Sequence, residues 1–125
     1  MPDTSAIQID VATQYLSDQS LPAENRFVFA YTITITNHRH EAVRLLSRYW
    51  RITDADNHVQ EVRGDGVIGE QPLIASGGSY RYSSGAMLAT PIGTMEGSYQ
   101  MVTDTGESFE APIRAFSLAR PGMLH

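Results

Sequence analysis

Alternation of apolar and polar side chains constrains this chain more than any other feature. In FVFAYTITITN, Phe27, Phe29, Tyr31, Ile33 and Ile35 share one parity, and Val28, Ala30, Thr32, Thr34 and Thr36 share the other. Successive side chains of an extended chain point to opposite faces, so a period of two with β-branched and aromatic residues predicts a strand. IQIDVATQY repeats the pattern through Ile7, Ile9, Val11 and Tyr15. The runs AVRLLSRYWRIT, HVQEVR, SYRYSS, GSYQMVT and ESFEAPIRAFSL also read as extended. Turn-forming clusters separate them at Asp54-Ala55-Asp56-Asn57, Ser76-Gly77-Gly78, Thr90-Pro91-Ile92-Gly93 and Asp104-Thr105-Gly106. No stretch carries a sustained helical period of about 3.6 residues. The expected fold is therefore all-β, an immunoglobulin or fibronectin type III-like antiparallel β-sandwich of about seven or more strands.

Positional details fit that class. Trp50, the only Trp, lies in the third strand, where such sandwiches bury one. Tyr99-Gln100-Met101 stands where a tyrosine corner would place Tyr-x-Cys, with Met in the cysteine position. Two runs break their own parity. Phe109, Ala111 and Ile113 are odd whereas Phe116 and Leu118 are even, which implies a bulge or an edge position near Pro112. Trp50 and Ile52 share parity with Arg44 and Arg48, so the third strand either bulges or holds Arg48 on a carboxylate at the rim.

The 125 residues, 42% hydrophobic and 18% charged, suit one globular domain, residues 1–125. With no cysteine, disulfides, thiolate metal sites and Cys nucleophiles are excluded. All nine basic residues are Arg, which excludes a P-loop or Schiff-base lysine and leaves anion binding to Arg or backbone N–H groups. A net charge of −5 argues against a nucleic-acid partner. MPDTSAIQID shows no signal peptide and no apolar run is long enough for membrane insertion, so a cytoplasmic location is expected.

Glu61–Pro72, EVRGDGVIGEQP, contains Gly64-x-Gly66-x-x-Gly69, the spacing of the dinucleotide fingerprint. That fingerprint requires a helix whose N-terminus receives the pyrophosphate. Here Pro72 comes three residues after Gly69, Gly77-Gly78 follow, and no acidic residue stands where the ribose ligand belongs. Glycines at positive φ in an inter-strand loop are expected instead. Such a loop could form a nest of N–H groups for an anion or a partner backbone, flanked by Arg63 and Gln71 and joined by Arg48.

His38 and His40 form an H-x-H pair that could direct two imidazoles at one metal ion, but Asn37–His40 reads as an exposed turn without a third ligand. His58 and His125 complete the histidines. Asp54-Ala55-Asp56-Asn57-His58 begins like a calcium loop and then lacks its Gly and Glu, so an Asx-rich turn is expected. No serine lies in G-x-S-x-G, and the carboxylate pairs Glu61 with Asp65 and Glu107 with Glu110 read as solvated. No catalytic constellation and no cofactor are expected.

The segments ITN at Ile35–Asn37, VRLLSRYWRITDADN at Val43–Asn57, EVRGDGVIGEQPLI at Glu61–Ile74, YRYSSGAMLATPIGTMEGSYQM at Tyr80–Met101 and the closing FSLARPGMLH together resemble the ApaG family. The resemblance implies a single fibronectin type III or immunoglobulin-like ApaG domain. It also implies a genetic link to cobalt resistance and magnesium efflux, and use as a binding module where the domain is appended to eukaryotic proteins. It assigns no catalytic residues. The expected function is a non-enzymatic interaction module with a protein partner, meeting it through Gly64–Pro72 and Ala89–Gly97. The alternative is a phosphate, nucleotide or divalent-metal binder using the glycine loop. An exposed edge strand could also support a homodimer.

Overall fold

In a computed structural model, residues 6–122 are described, and each run of alternation becomes a strand. These are β1 (Ile7–Tyr15), β2 (Phe27–Asn37), β3 (Val43–Asp54), β4 (Val59–Asp65), β5 (Leu73–Ile74), β6 (Ser79–Leu88), β7 (Ile92–Thr103) and β8 (Ser108–Ala119). One sheet has the order β1-β2-β6; the other runs β4-β3-β7-β8, with the short β5 also on β3. Every pairing is antiparallel. This three-against-four arrangement, with β5 as an addition, is the fibronectin type III-like sandwich expected from the strand pattern. Among the described residues no helix is long and apolar enough to cross a membrane.

β2 shows why the layers stack. Its odd residues Phe27 to Ile35 are all buried, while the even ones are only half-covered. Opposite them lie Leu45, Trp50, Tyr99, Met101, Ile113 and Leu118, also buried. Each such side chain contributes about 1.5–3 kcal/mol when removed from water. Trp50 presents its indole to Tyr31 at 5.5 Å, Phe116 at 5.9 Å and Tyr99 at 6.4 Å, all near edge-on. The quadrupoles of the rings favour that geometry.

The sheets are also tied by a polar link. The Tyr82 hydroxyl on β6 and the Tyr99 hydroxyl on β7 form a hydrogen bond of 2.5 Å. Burial is the main cause that pushes both phenols well above the ordinary tyrosine pKa. Tyr99 thus occupies the expected place but not the expected role: a tyrosine corner bonds backbone, whereas this hydroxyl reaches across the sandwich to a second tyrosine.

Both breaks in parity are bulges. The β3–β7 register shifts between Leu45 and Ser47, so Val43 and Leu45 point inward before it and Trp50 and Ile52 after it. Arg44 is consequently exposed, and Arg48 stays on the inner parity near the rim. On β8, Arg114 and Ala115 together oppose Glu96, between the pairs Met95↔Phe116 and Gly97↔Ile113. The bulge lies just past Pro112, and β8 is also an edge strand.

Strand ends differ from the sequence reading in two places. Gly64 and Asp65 belong to β4, and Ile92–Gly97 belongs to β7. Ala89–Gly97 is therefore a tight turn followed by strand and not a long contact loop: Glu96 lies in the sheet beside the β8 bulge.

Candidate functional site

The glycine segment forms a small, heavily braced hairpin between β4 and β5. Val67 and Glu70 bridge each other, with reciprocal N–H donation of 2.8 and 3.0 Å. The two residues between them, Ile68 at φ 48° and Gly69 at φ 75°, both have positive φ, as a type I′ turn demands. Val67 is fully buried and pins the hairpin to the core. Gly66 has φ 62°, and a Cβ there would collide with the Glu70 carbonyl. No helix begins after Gly69, so the dinucleotide reading has no structural counterpart.

Gly64 departs from the expectation of positive φ. It sits in β4 opposite Arg48, and a Cβ on it would lie 2.8 Å from the Arg48 guanidinium. Glycine there lets the Arg48 guanidinium pass close to the strand, and backbone freedom is not the reason for it. Arg48 Nη1 donates to the carbonyls of Gly66 at 2.9 Å and Asp65 at 3.2 Å. The rim arginine is thus held by peptide oxygens where a carboxylate was an option.

Gln71 and Arg44 brace the other side. Gln71 Nε2 donates to the Leu46 carbonyl at 2.8 Å, and Arg44 Nη1 donates to the Gln71 carbonyl at 2.8 Å. The Gly66 N–H donates to Leu46 as well, at 2.8 Å. The amides of Gly66, Val67 and Glu70 are engaged inside the protein and are not open to an anion. Arg63 lies apart from the brace. Its guanidinium stacks on the Tyr49 ring at 4.5 Å and sits 3.9 Å from Glu61. It edges a shallow depression of about 370 Å³ shared with Ser47, Arg48, Gly64 and Gln100. The Tyr49 hydroxyl donates to Glu61, and that bond is the first cause of its raised pKa.

What the brace presents to solvent is apolar. Ile68 is 59% exposed at the hairpin tip, and Leu73 at the start of β5 is 58% exposed. A β-branched residue at positive φ is rare, because its branched Cβ crowds the backbone. Ile68 was not singled out from the sequence, since Val67–Glu70 lacks the Asn-Gly signal that usually marks this turn. The spacing of two residues between Val67 and Glu70 was the available clue.

Among the described residues the histidines do not converge. His38 is exposed and its Nε2 meets Gln8 Oε1 at 2.8 Å, while His40 is exposed as well. His125 lies outside the described residues. The remainder of that turn is structural, with Asn37 buried and Arg39 half-buried. Arg39 stacks on Phe109 at 4.5 Å and pairs with Glu41 at 3.0 Å and Glu107 at 3.2 Å. Asn37 is fully buried, so Asn37–His40 is only partly the exposed turn expected.

Among the described residues, the acidic and histidine side chains close enough to share a metal are Asp54, Asp56 and His58, with ligand atoms within 4.8 Å of one another. Asp54 is already occupied as an Asx turn, its Oδ1 accepting the N–H groups of Asp56 at 2.8 Å and His58 at 3.0 Å. Desolvation raises the Asp54 pKa, but these backbone donors together with the charge and hydrogen bond of the His58 side chain outweigh it and leave the value below the ordinary one.

Comparison with known proteins agrees with the geometry. The family model described as "ApaG domain" matches residues 17–103. A protein named Protein ApaG from Azotobacter vinelandii is 58% identical over 119 residues, covering 95% of this chain and 94% of its own. Its namesake from Thiobacillus denitrificans is 59% identical with the same coverage. A crystal structure described as a putative ApaA protein from Bordetella pertussis superposes with a TM-score of 0.91 at 47% identity, covering 93% of this chain and 94% of that one. With the glycine hairpin, the sandwich and the alignment coinciding along almost the whole length, the chain belongs to the ApaG family.

Proposed function

We propose that this protein is a non-enzymatic interaction module that offers the Gly64–Pro72 hairpin to a protein partner. One observation carries the reading: Ile68 is held in a left-handed backbone conformation and points a large apolar side chain into water. Both features cost stability, the backbone alone by about 1–2 kcal/mol. Such a residue persists where the surrounding structure over-determines it, and here Arg48, Gln71, Arg44 and buried Val67 do so. A rigid loop with an apolar tip suits recognition because little entropy is lost when it docks.

Under this reading the link to cobalt resistance and magnesium efflux runs through the partner, not through ions held by this chain. The test is affinity capture from bacterial lysate with the wild type and with Ile68→Asn, read by quantitative mass spectrometry. Asn tolerates positive φ, so the fold is retained while the apolar contact is removed. The expected outcome is a set of proteins captured by wild type and lost with Ile68→Asn. Identical capture by both, or capture of nothing specific, refutes the assignment of the hairpin.

A further inference from the structure

A second surface, away from the hairpin tip, is written into the edge of the larger sheet. Among the described residues β4 pairs with β3 on one side and is terminal on the other, so one row of its N–H and C=O groups has no strand partner there. Proteins commonly blunt such edges. β8, the opposite edge, is blunted by Pro112 and by the Arg114–Ala115 bulge. β4 contains no proline and keeps unbroken register with β3 from Val59 to Asp65.

Its side chains have a symmetry that matters for a two-fold partner. If a second β4 is laid antiparallel about Val62, Val62 faces itself, Glu61 faces Arg63 and Arg63 faces Glu61. The register thus creates two cross-strand ion pairs and no directly opposed like charges; the remaining opposites are Gln60 with Gly64 and Val59 with Asp65. The Arg63 and Glu61 side chains are 72% and 49% exposed; within one chain Tyr49 holds both, by its ring under Arg63 and its hydroxyl on Glu61, and the cross-strand pairs take the place of these exposed contacts. The other edges lack this property. The same operation on β1 about Val11 sets Asp10 against Ala12, and on β6 it sets Arg81 against Ala86, so neither gains a charge pair.

Apolar exposure lies on the same side. Val59 is 47% and Met87 55% exposed. Together with Ile52 and Leu88 they line a groove of about 450 Å³ between the β4 and β6 edges. A two-fold axis perpendicular to the sheets keeps layer beside layer. It therefore joins β4 to its copy in one layer and sets the Val59 end of each copy, with the groove that Met87 lines, against the Asp65 end of the other.

We infer that β4 is the homodimerisation edge of this protein, where a second copy adds antiparallel about Val62 to make one continuous sheet across both subunits. An isologous contact of this kind closes on itself and exposes no further β4 edge.

Charge exchange tests it. Sedimentation equilibrium of the full chain should show a reversible dimer. Glu61→Arg alone sets Arg against Arg63, and Arg63→Glu alone sets Glu against Glu61. Each single variant should weaken self-association by about tenfold or more. Mixing the two single variants restores opposite charges at both positions, and the mixture should dimerise as the wild type does. Circular dichroism verifies that each variant is folded. Concentration-dependent hydrogen exchange on the wild type, which needs no variant, should protect alternate amides of Val59–Asp65. A wild type that is monomeric at the highest soluble concentration overturns the inference. So do single variants that dimerise undiminished, a mixture that does not associate, or a dimer that leaves β4 amides unprotected.

Discussion

Replacing Asn37 by Ala should cost this protein more stability than any change of similar size on the surface. Asn37 ends β2 and is fully buried. Its Nδ2 donates to the carbonyls of Glu41 at 2.9 Å, Ile74 at 3.1 Å and Ala75 at 3.3 Å, and its Oδ1 accepts the Arg39 N–H at 2.9 Å. Its own main chain bonds to Gly77 and Gly78. One side chain thus joins the smaller sheet to the 38–42 turn and to β5 of the larger sheet. In the Ala variant the Ile74 carbonyl loses a fully buried partner, worth about 1–3 kcal/mol, and the part-buried groups lose about 0.5 kcal/mol each. The sum is about 3 kcal/mol, or about 10 °C in Tm for a chain of this length. Calorimetry and urea unfolding of Asn37→Ala measure it directly. A loss below about 1 kcal/mol refutes the reasoning, because it would mean that water satisfies these carbonyls as well as the amide does. Asn37→Asp adds a check on sign. The carboxylate keeps the Arg39 contact but faces three carbonyls, so its folded pKa must lie above the unfolded value. The folded state then binds more protons, and stability falls as pH rises past about 3.9. The deficit against wild type should be smaller near pH 4 than near pH 7.

The remaining expectations concern the inter-sheet link and the hairpin. Tyr82→Phe or Tyr99→Phe leaves the other hydroxyl buried without its partner, so each should cost about 1–2 kcal/mol in urea unfolding. The double variant should cost less than the two singles added together. Both phenols have raised folded pKa values, mainly from burial, so their contribution is complete below the unfolded tyrosine pKa and is lost as pH rises beyond it. Ultraviolet titration should accordingly show part of the tyrosinate signal appearing only with alkaline unfolding. Gly66→Ala should destabilise by about 2–4 kcal/mol, because positive φ and the Glu70 carbonyl both oppose a Cβ. Gly69→Ala, with open space around it, should cost only about 1 kcal/mol, and similar thermal shifts for the two would contradict the geometry. Ile68→Asn should leave Tm unchanged or raise it by the equivalent of up to about 1 kcal/mol while abolishing partner capture, separating strain from binding in one variant.

The strand alternation of β2 carried the fold because its period survives any tertiary context: a one-residue slip would turn Phe27, Phe29, Tyr31, Ile33 and Ile35 out to water together. The bulges were partly legible for the same reason: parity changed near Pro112 and within β3, but whether β3 bulged or held Arg48 at the rim, and where, came only from the strand pairing. Gly64 was misread because a glycine in sequence does not say whether it serves a positive φ or close contact. Only the arrival of Arg48, brought opposite by the β3–β4 pairing, decides between them. Asn37 and Gln71 were underestimated for a related reason. Their carbonyl acceptors lie 37 and 25 residues away in the chain, at Ile74 and Leu46, and backbone oxygens leave no trace in residue identity. Ile68 is the reverse case, since Val-Ile-Gly-Glu has an ordinary composition and only its backbone angles distinguish it. Local pattern therefore reports what each segment does for the sheet. A functional loop is defined by what departs from local preference, and that departure becomes visible when distant groups, here Arg44, Arg48 and Gln71, are seen holding an apolar tip in a conformation it would not choose.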